Sequence, residues 1–487
     1  MISMHYGLAH FVEKYGISLK AINFDGITMQ IKEELPEIFH SLKHYDKMLT
    51  ACNGAVTASD IFKRIELILS GGLEVVWSKL DEKVKEALVK MPITDYYEEI
   101  LFSSILHTHL ESGTPIIQKA FWPNGKRFAV CLTHDVDEVR KTYQYITHPL
   151  RRLKKGDLKG FKNQFLSLTK KIMKKEEPYW TFEKIMDLEE KLGVRSTFYF
   201  LNEKSEVKLF DLSTWRHYGR RYDVTSKEVV EIMRKLCSEG WEVGLHGSFY
   251  SYNDIDKLKT EKETLERVLS AKVYGIRQHN LNLDIPYTWK LHEKIGLEYD
   301  TTLGFNDRVG FRWGTCFPFH PIDKETYRPM RLLEIPLTIE DIALFSYDDP
   351  WEVCASLINT VKKYGGVLTL LWHHSVFNEL EYPGWAEIYE RIIKVCKEGG
   401  AWVTNAYEIA KWWRTREESV LKCEYDGHTL KIKPYPRSQK HFIKIYLPEG
   451  KTLEVSSENA KVISEDENAI TISTTNLKEN GEIVLRM

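Results

Sequence analysis

The chain has 487 residues, 43% hydrophobic and 28% charged, a composition that suits a folded protein of two to four domains and excludes collagen-like, membrane-embedded or largely disordered classes. Lys and Arg total 68 against 70 Asp and Glu, a net charge of −2, so no global basicity calls for a nucleic-acid partner. Seven cysteines, scattered and without a C-x-x-C pair, read as reduced thiols and not as a zinc ribbon or a disulfide framework.

The opening MISMHYGLAHFVEKYGISLK lacks a basic segment followed by an apolar one, and no apolar run approaches the ~18 residues of a spanning helix. The expected location is cytoplasmic. Residues 1–120 carry apolar positions at helical spacing, such as Ile61, Ile65, Leu67 and Ile68 before the Gly71-Gly72 pair, and read as a helical N-terminal domain with a scaffold role.

From 121 the rhythm becomes short β-rich runs alternating with amphipathic helices. The runs are 127–133, 195–201, 241–247, 273–279, 297–303, 331–337, 367–373 and 401–405. One intervening helix begins at a Thr225/Glu228 capping box and closes at Gly240. Such alternation predicts a parallel sheet, and seven or eight strands predict an irregular (β/α) barrel over 121–417. Residues 418–487 read as short strands separated by Asp-Gly, Pro-Glu-Gly and Asn-Gly turns, a small β-sandwich-like domain.

Barrels place chemistry at the C-terminal ends of strands, where the loops converge. Here the first strand ends in Thr133-His134-Asp135-Val136-Asp137, the third in His246, the fourth in Arg277-Gln278-His279 and the seventh in Trp372-His373-His374. Each group alone reads as a turn, a cap or a satisfied core histidine. Together, imidazole and carboxylate converging on one mouth are the donors a zinc-like divalent ion requires.

These stretches resemble the polysaccharide deacetylases, a family of metal-dependent enzymes that remove acetyl groups from carbohydrates. The resemblance covers about 125–415 and rests on FAVCLTHDVD, RSTFYFL, GWEVGLHGSFYS, GIRQH and LTLLWHH in the family's order. It implies Asp135 as catalytic base, Asp137 and His246 as metal ligands, Arg277 orienting the base, and His373 as general acid with His374 as a substitute. Asp135 and Asp137 can exchange roles, because the family's acidic pair is adjacent whereas here Val136 intervenes. A backbone N–H near Tyr250 would hold the oxyanion.

The family's second metal histidine corresponds to Tyr250, a poor ligand. Three outcomes stay open: His279 completes the ligand set, a water-rich octahedral ion uses the two carboxylates, or the metal is lost and a carbohydrate-binding protein remains. The expected cofactor is a divalent metal, zinc first. Tyr250, Asp307, Arg312, Trp372 and His374 are expected substrate contacts, although Trp372 also reads as core and the loop holding Asp300, Asp307 and Arg312 as ordinary ion pairing.

The implied function is hydrolysis of an N-acetyl (or O-acetyl) group on a carbohydrate or glycoconjugate. Rival readings are a non-acetyl amide hydrolase on the same barrel and a non-catalytic sugar-binding protein. Between 151 and 175 stand ten Lys or Arg and one acid, Asp157, with Leu158, Phe161, Phe165, Leu168 and Ile172 at three- and four-residue steps. This helix either packs as a lid with a solvated basic face or lies on an anionic membrane.

Overall fold

The computed structural model describes residues 6–17, 28–30, 55–174, 176–203, 222–455, 457–474 and 482–487. The start of the chain, Cys52 and the Asn480-Gly481 turn lie outside the described residues. Nine short parallel strands form the central sheet: β1 Phe128–Val136, β2 Thr197–Leu201, β3 Glu242–Gly247, β4 Gly275–Gln278, β5 Tyr299–Asp300, β6 Leu333–Glu334, β7 Ile339–Glu340, β8 Val367–Leu371 and β9 Ala401–Thr404.

Strands β1 to β6 pair in chain order, while β8 lies on the other side of β1, with β9 also against β1. The run Leu333–Glu340 starts paired to β5, Leu333 opposite Tyr299, and ends paired to β8, Ile339 opposite Leu370. Backbone bonds from Ile335 to Asp300, Leu337 to Leu303 and Thr338 to Thr369 continue between them. One stretch of chain therefore joins both edges and curls the sheet into an irregular barrel. Buried on both sides, β1 reads as FAVCLTHDV without apolar/polar alternation. Close packing inside needs Gly275, where a Cβ would lie 1.9 Å from the Tyr299 ring.

Helices Ala58–Leu69 and Ile93–Glu111 bury Ile61, Ile65, Ile68, Leu101 and Ile105 in the same apolar cluster as the barrel strands. The C-terminal region holds two four-stranded sheets whose inner residues Leu430, Ile432, Ile443, Ile472 and Leu485 share a separate core. Residues Ile116–Lys119, read from sequence as the end of the helical region, instead form an antiparallel strand against Phe442–Tyr446 in one of these sheets. Four residues are too few to register a period.

The capping box expected at Thr225 is not made. Asp223 accepts from the Thr225 backbone N–H and hydroxyl at 2.8 and 2.6 Å, and helix Lys227–Ser238 begins after Ser226. The described cysteines are free thiols. Among the described residues no helix is long and apolar enough to cross a membrane.

Candidate active site

The two-residue period of an extended strand puts Thr133 and Asp135 on one face of β1 and His134 on the other, with Asp137 the first residue past the strand. His134 faces outward, where it meets Glu189 at 3.0 Å and the Trp372 carbonyl at 2.7 Å beneath the flanking helices. Asp135 faces the barrel interior. There the Arg277 guanidinium, fully buried, donates through Nη1 to Asp135 at 3.0 Å and to the Thr133 hydroxyl at 2.6 Å, and through Nε to the Thr301 carbonyl at 3.1 Å. Register explains the meeting of His246 and Arg277, which are paired neighbours on β3 and β4.

His246 Nδ1 lies 2.8 Å from the Arg277 carbonyl, an acceptor only, so Nδ1 carries the hydrogen. Its Nε2 then points at two carboxylates, 3.1 Å from Asp137 and 3.6 Å from Asp135. A neutral ring would set a lone pair against negative oxygens, an arrangement that calls for a proton or a cation between them. Burial works against the charged imidazole, but Asp135 and Asp137 outweigh it and raise the pKa of His246.

His279, two residues past Arg277 and 2% exposed, brings Nε2 to 3.8 Å from Asp137. Asp137, His246 and His279 each offer a donor atom, all within 4.8 Å of one another. Two imidazoles and a carboxylate in this arrangement fit a divalent cation, and the directed Nε2 of His246 is the observation that supports it.

On the other side of Asp137 stands His373, its Nε2 3.7 Å from Oδ2. Its Nδ1 donates to Asp341 at 2.7 Å, and its backbone N–H donates to the same carboxylate at 2.7 Å. Burial opposes a charge on this ring, yet Asp341, then Asp137 and Asp135, hold its pKa well above the ordinary imidazole range. Glu340 beside it is buried, which pushes its carboxyl up to about 8 despite His373.

Several expected substrate contacts lie elsewhere. Trp372 is fully buried, its ring packed between Phe345 and Tyr389, so it is core. His374 is buried as well: it stacks on Phe182 at 5.0 Å and meets the Asp135 carbonyl at 3.2 Å, and burial lowers its pKa to about 4. Arg312 binds Glu74 at 2.7 Å and the Gly304 carbonyl at 2.9 Å, fastening its loop to the helical region. Exposed Asp307 pairs with Arg308 at 2.7 Å, and buried Asp300 meets His292 at 3.1 Å. Tyr250 is 47% exposed, its ring edge-on to Phe249, and is not part of the three-donor group.

Sequence reasoning missed two acids. Glu203, two residues beyond β2 and 5% exposed, lies 3.7 Å from His279 Nδ1. The strand-end rule, applied to β2 as to its neighbours, points to it. Asp341 follows a two-residue strand that leaves no periodic signal. A cavity of about 920 Å³ lined by Lys14, Phe102, Lys126, Lys362 and Asp466 contains none of these groups.

The chain is similar in structure to polysaccharide deacetylases. A Mycobacterium smegmatis protein assigned to that class aligns at 19% identity over 63% of this chain and 97% of its own, with a TM-score of 0.41. A Pseudomonas aeruginosa protein assigned likewise aligns at 13% identity over 60% and 93%, TM-score 0.39. An allantoinase aligns at 14% identity over 60% and 92%, TM-score 0.40. No protein-family model and no curated protein matches the sequence.

Proposed function

We propose that the chain is a cation-dependent hydrolase that removes an acetyl group from the nitrogen of an amino sugar or its glycoconjugate. The observation that carries this reading is the Asp137, His246 and His279 donor group set between two prepared proton carriers, Asp135 and His373. Asp137, His246 and His279 would hold the ion, and the mixed imidazole and carboxylate donors favour zinc over calcium or magnesium. When bound, such an ion supplies a Lewis acid for the acyl oxygen and a lowered pKa for water.

Asp135 takes the proton from the attacking water. Arg277 aims that carboxylate, donating to it from Nη1 at 3.0 Å. His373 gives a proton to the departing nitrogen, its ring fixed by Asp341 so that Nε2 is the nitrogen presented. Exposed Tyr250 remains a candidate substrate contact at the edge of the site.

The test uses purified full-length protein with N-acetylglucosamine oligomers and UDP-N-acetylglucosamine, reading acetate by a coupled assay and bound metal by elemental analysis. Acetate release that a chelator abolishes, a divalent ion restores and Asp135→Asn eliminates is the expected result. Bound metal with turnover of ureides or other non-acetyl amides alone would move the reaction to that class. Neither metal nor hydrolysis would leave a sugar-binding protein.

A further inference from the structure

Helices Gln144–Lys154 and Leu158–Lys174 form a hairpin turned at Gly156, whose φ of +72° suits glycine. An ordinary surface helix buries its apolar stripe and exposes its polar one. Here the order is inverted. The inward side of the second helix carries Gln164 and Ser167, 3% and 1% exposed. Lys141 donates to Gln164 at 2.6 Å and to Glu381 at 2.7 Å, and Ser167 donates to Glu381 at 2.6 Å.

Most of the apolar side chains face out, while Phe161 and Leu168 of the expected stripe are half-buried. Ile146, Leu150 and Leu153, at steps of four and three, are 68%, 53% and 49% exposed on the first helix. On the second, Leu158, Phe165 and Ile172, at steps of seven, are 68%, 52% and 70% exposed. Seven-residue steps return to the same side of a helix, so each helix presents a continuous apolar ridge. Arg151, Lys154, Lys155, Lys159, Lys162 and Lys170 are exposed along the same hairpin, where ten cationic residues stand against one acid over 151–175.

We propose that this hairpin docks the protein on an anionic bilayer surface, with the aliphatic ridge in the acyl boundary and the Lys and Arg side chains at lipid phosphates or carboxylates. Charge selects the occupant: a second copy would set the exposed Arg151, Lys154, Lys155, Lys159, Lys162 and Lys170 against their like, whereas an anionic lipid surface attracts each of them. Length limits the mode, because neither helix can span the bilayer. Lys141 and Ser167 fasten the hairpin to Glu381, so the docked surface is tied to the barrel. The inference stands whether or not the site hydrolyses an acetyl group.

The test is co-sedimentation of the full-length protein with vesicles of phosphatidylcholine, with and without phosphatidylglycerol, alongside sedimentation velocity without lipid. The expected result is pelleting with anionic vesicles only, weakened by salt. A variant carrying Ile146→Gln, Leu158→Gln, Phe165→Gln and Ile172→Gln stays in the supernatant. Should it fail to fold, Lys154→Glu with Lys155→Glu and Lys159→Glu serves instead, and loses on the order of 100-fold or more in partitioning. Failure of the parent to bind anionic vesicles overturns the proposal, as does binding by the folded variants equal to the parent. Self-association through the hairpin without lipid binding overturns it too.

Discussion

Asp341 accepts two hydrogen bonds from the single residue His373, one from the backbone N–H and one from ring Nδ1, each at 2.7 Å. The pair of contacts fixes both the position and the tautomer of the imidazole, so the nitrogen turned toward Asp137 is Nε2. If His373 delivers the proton to the leaving group, His373→Gln lowers kcat by on the order of 10²–10⁴ with bound metal unchanged. Asp341→Asn lowers kcat in the same direction with KM retained. Steady-state acetate release with metal analysis checks both, and parental kcat in either variant counts against the assignment.

Removal of a donor should empty the cation site. His246→Gln and His279→Gln lose stoichiometric metal, while Glu203→Gln, behind His279 at 3.7 Å, keeps the site and weakens affinity by roughly 10- to 100-fold. Calorimetric titration of apo-protein with zinc separates these cases. Undiminished affinity in His279→Gln would remove that residue from the set.

Arg277 and Asp135 form a buried pair, 0% and 4% exposed at the side chain. Arg277→Met strips Asp135 of its buried cationic partner, and the expected loss of stability is about 3–5 kcal/mol. Adding Asp135→Asn removes the stranded carboxyl group and restores part of that stability. Urea unfolding of the two single variants and the double variant measures this; strict additivity would show that the two side chains do not interact.

His320 sets a pH dependence away from the site. Burial disfavours its charge, but a 3.1 Å contact with Glu417, then Glu13 and the Leu332 carbonyl, carry its pKa from 6.5 to about 9. A raised folded-state value means that the stabilisation is complete below about 6.5 and is lost as pH climbs through about 9. The change is on the order of 3 kcal/mol. Chemical denaturation from pH 6 to 10 should show this fall in the parent and a flatter profile in His320→Gln.

Much of the barrel was legible because its principal strands are strongly apolar. Phe128–Val136 and Val367–Leu371 lie inside the expected runs apart from the last three residues of the first. The weak place is Ile339–Glu340, two paired residues outside every expected run, on which closure depends; Tyr299–Asp300 and Leu333–Glu334, equally short, lie inside the runs 297–303 and 331–337. A two-residue strand has no period to read, because its pairing is imposed by the neighbours on either side.

The linear order of residues determined that carboxylate, imidazole and guanidinium stand at strand ends, since each follows a run whose composition marks a strand. Only the tertiary structure decided which groups meet. It set Asp341 behind His373 and Glu203 behind His279, and it sent Trp372 into the core. It also turned the apolar ridge of residues 146–172 to solvent, because the inner side of that hairpin is occupied by Lys141 and Glu381. Those outcomes depend on which distant segment fills the adjoining space, and no spacing along the chain encodes that.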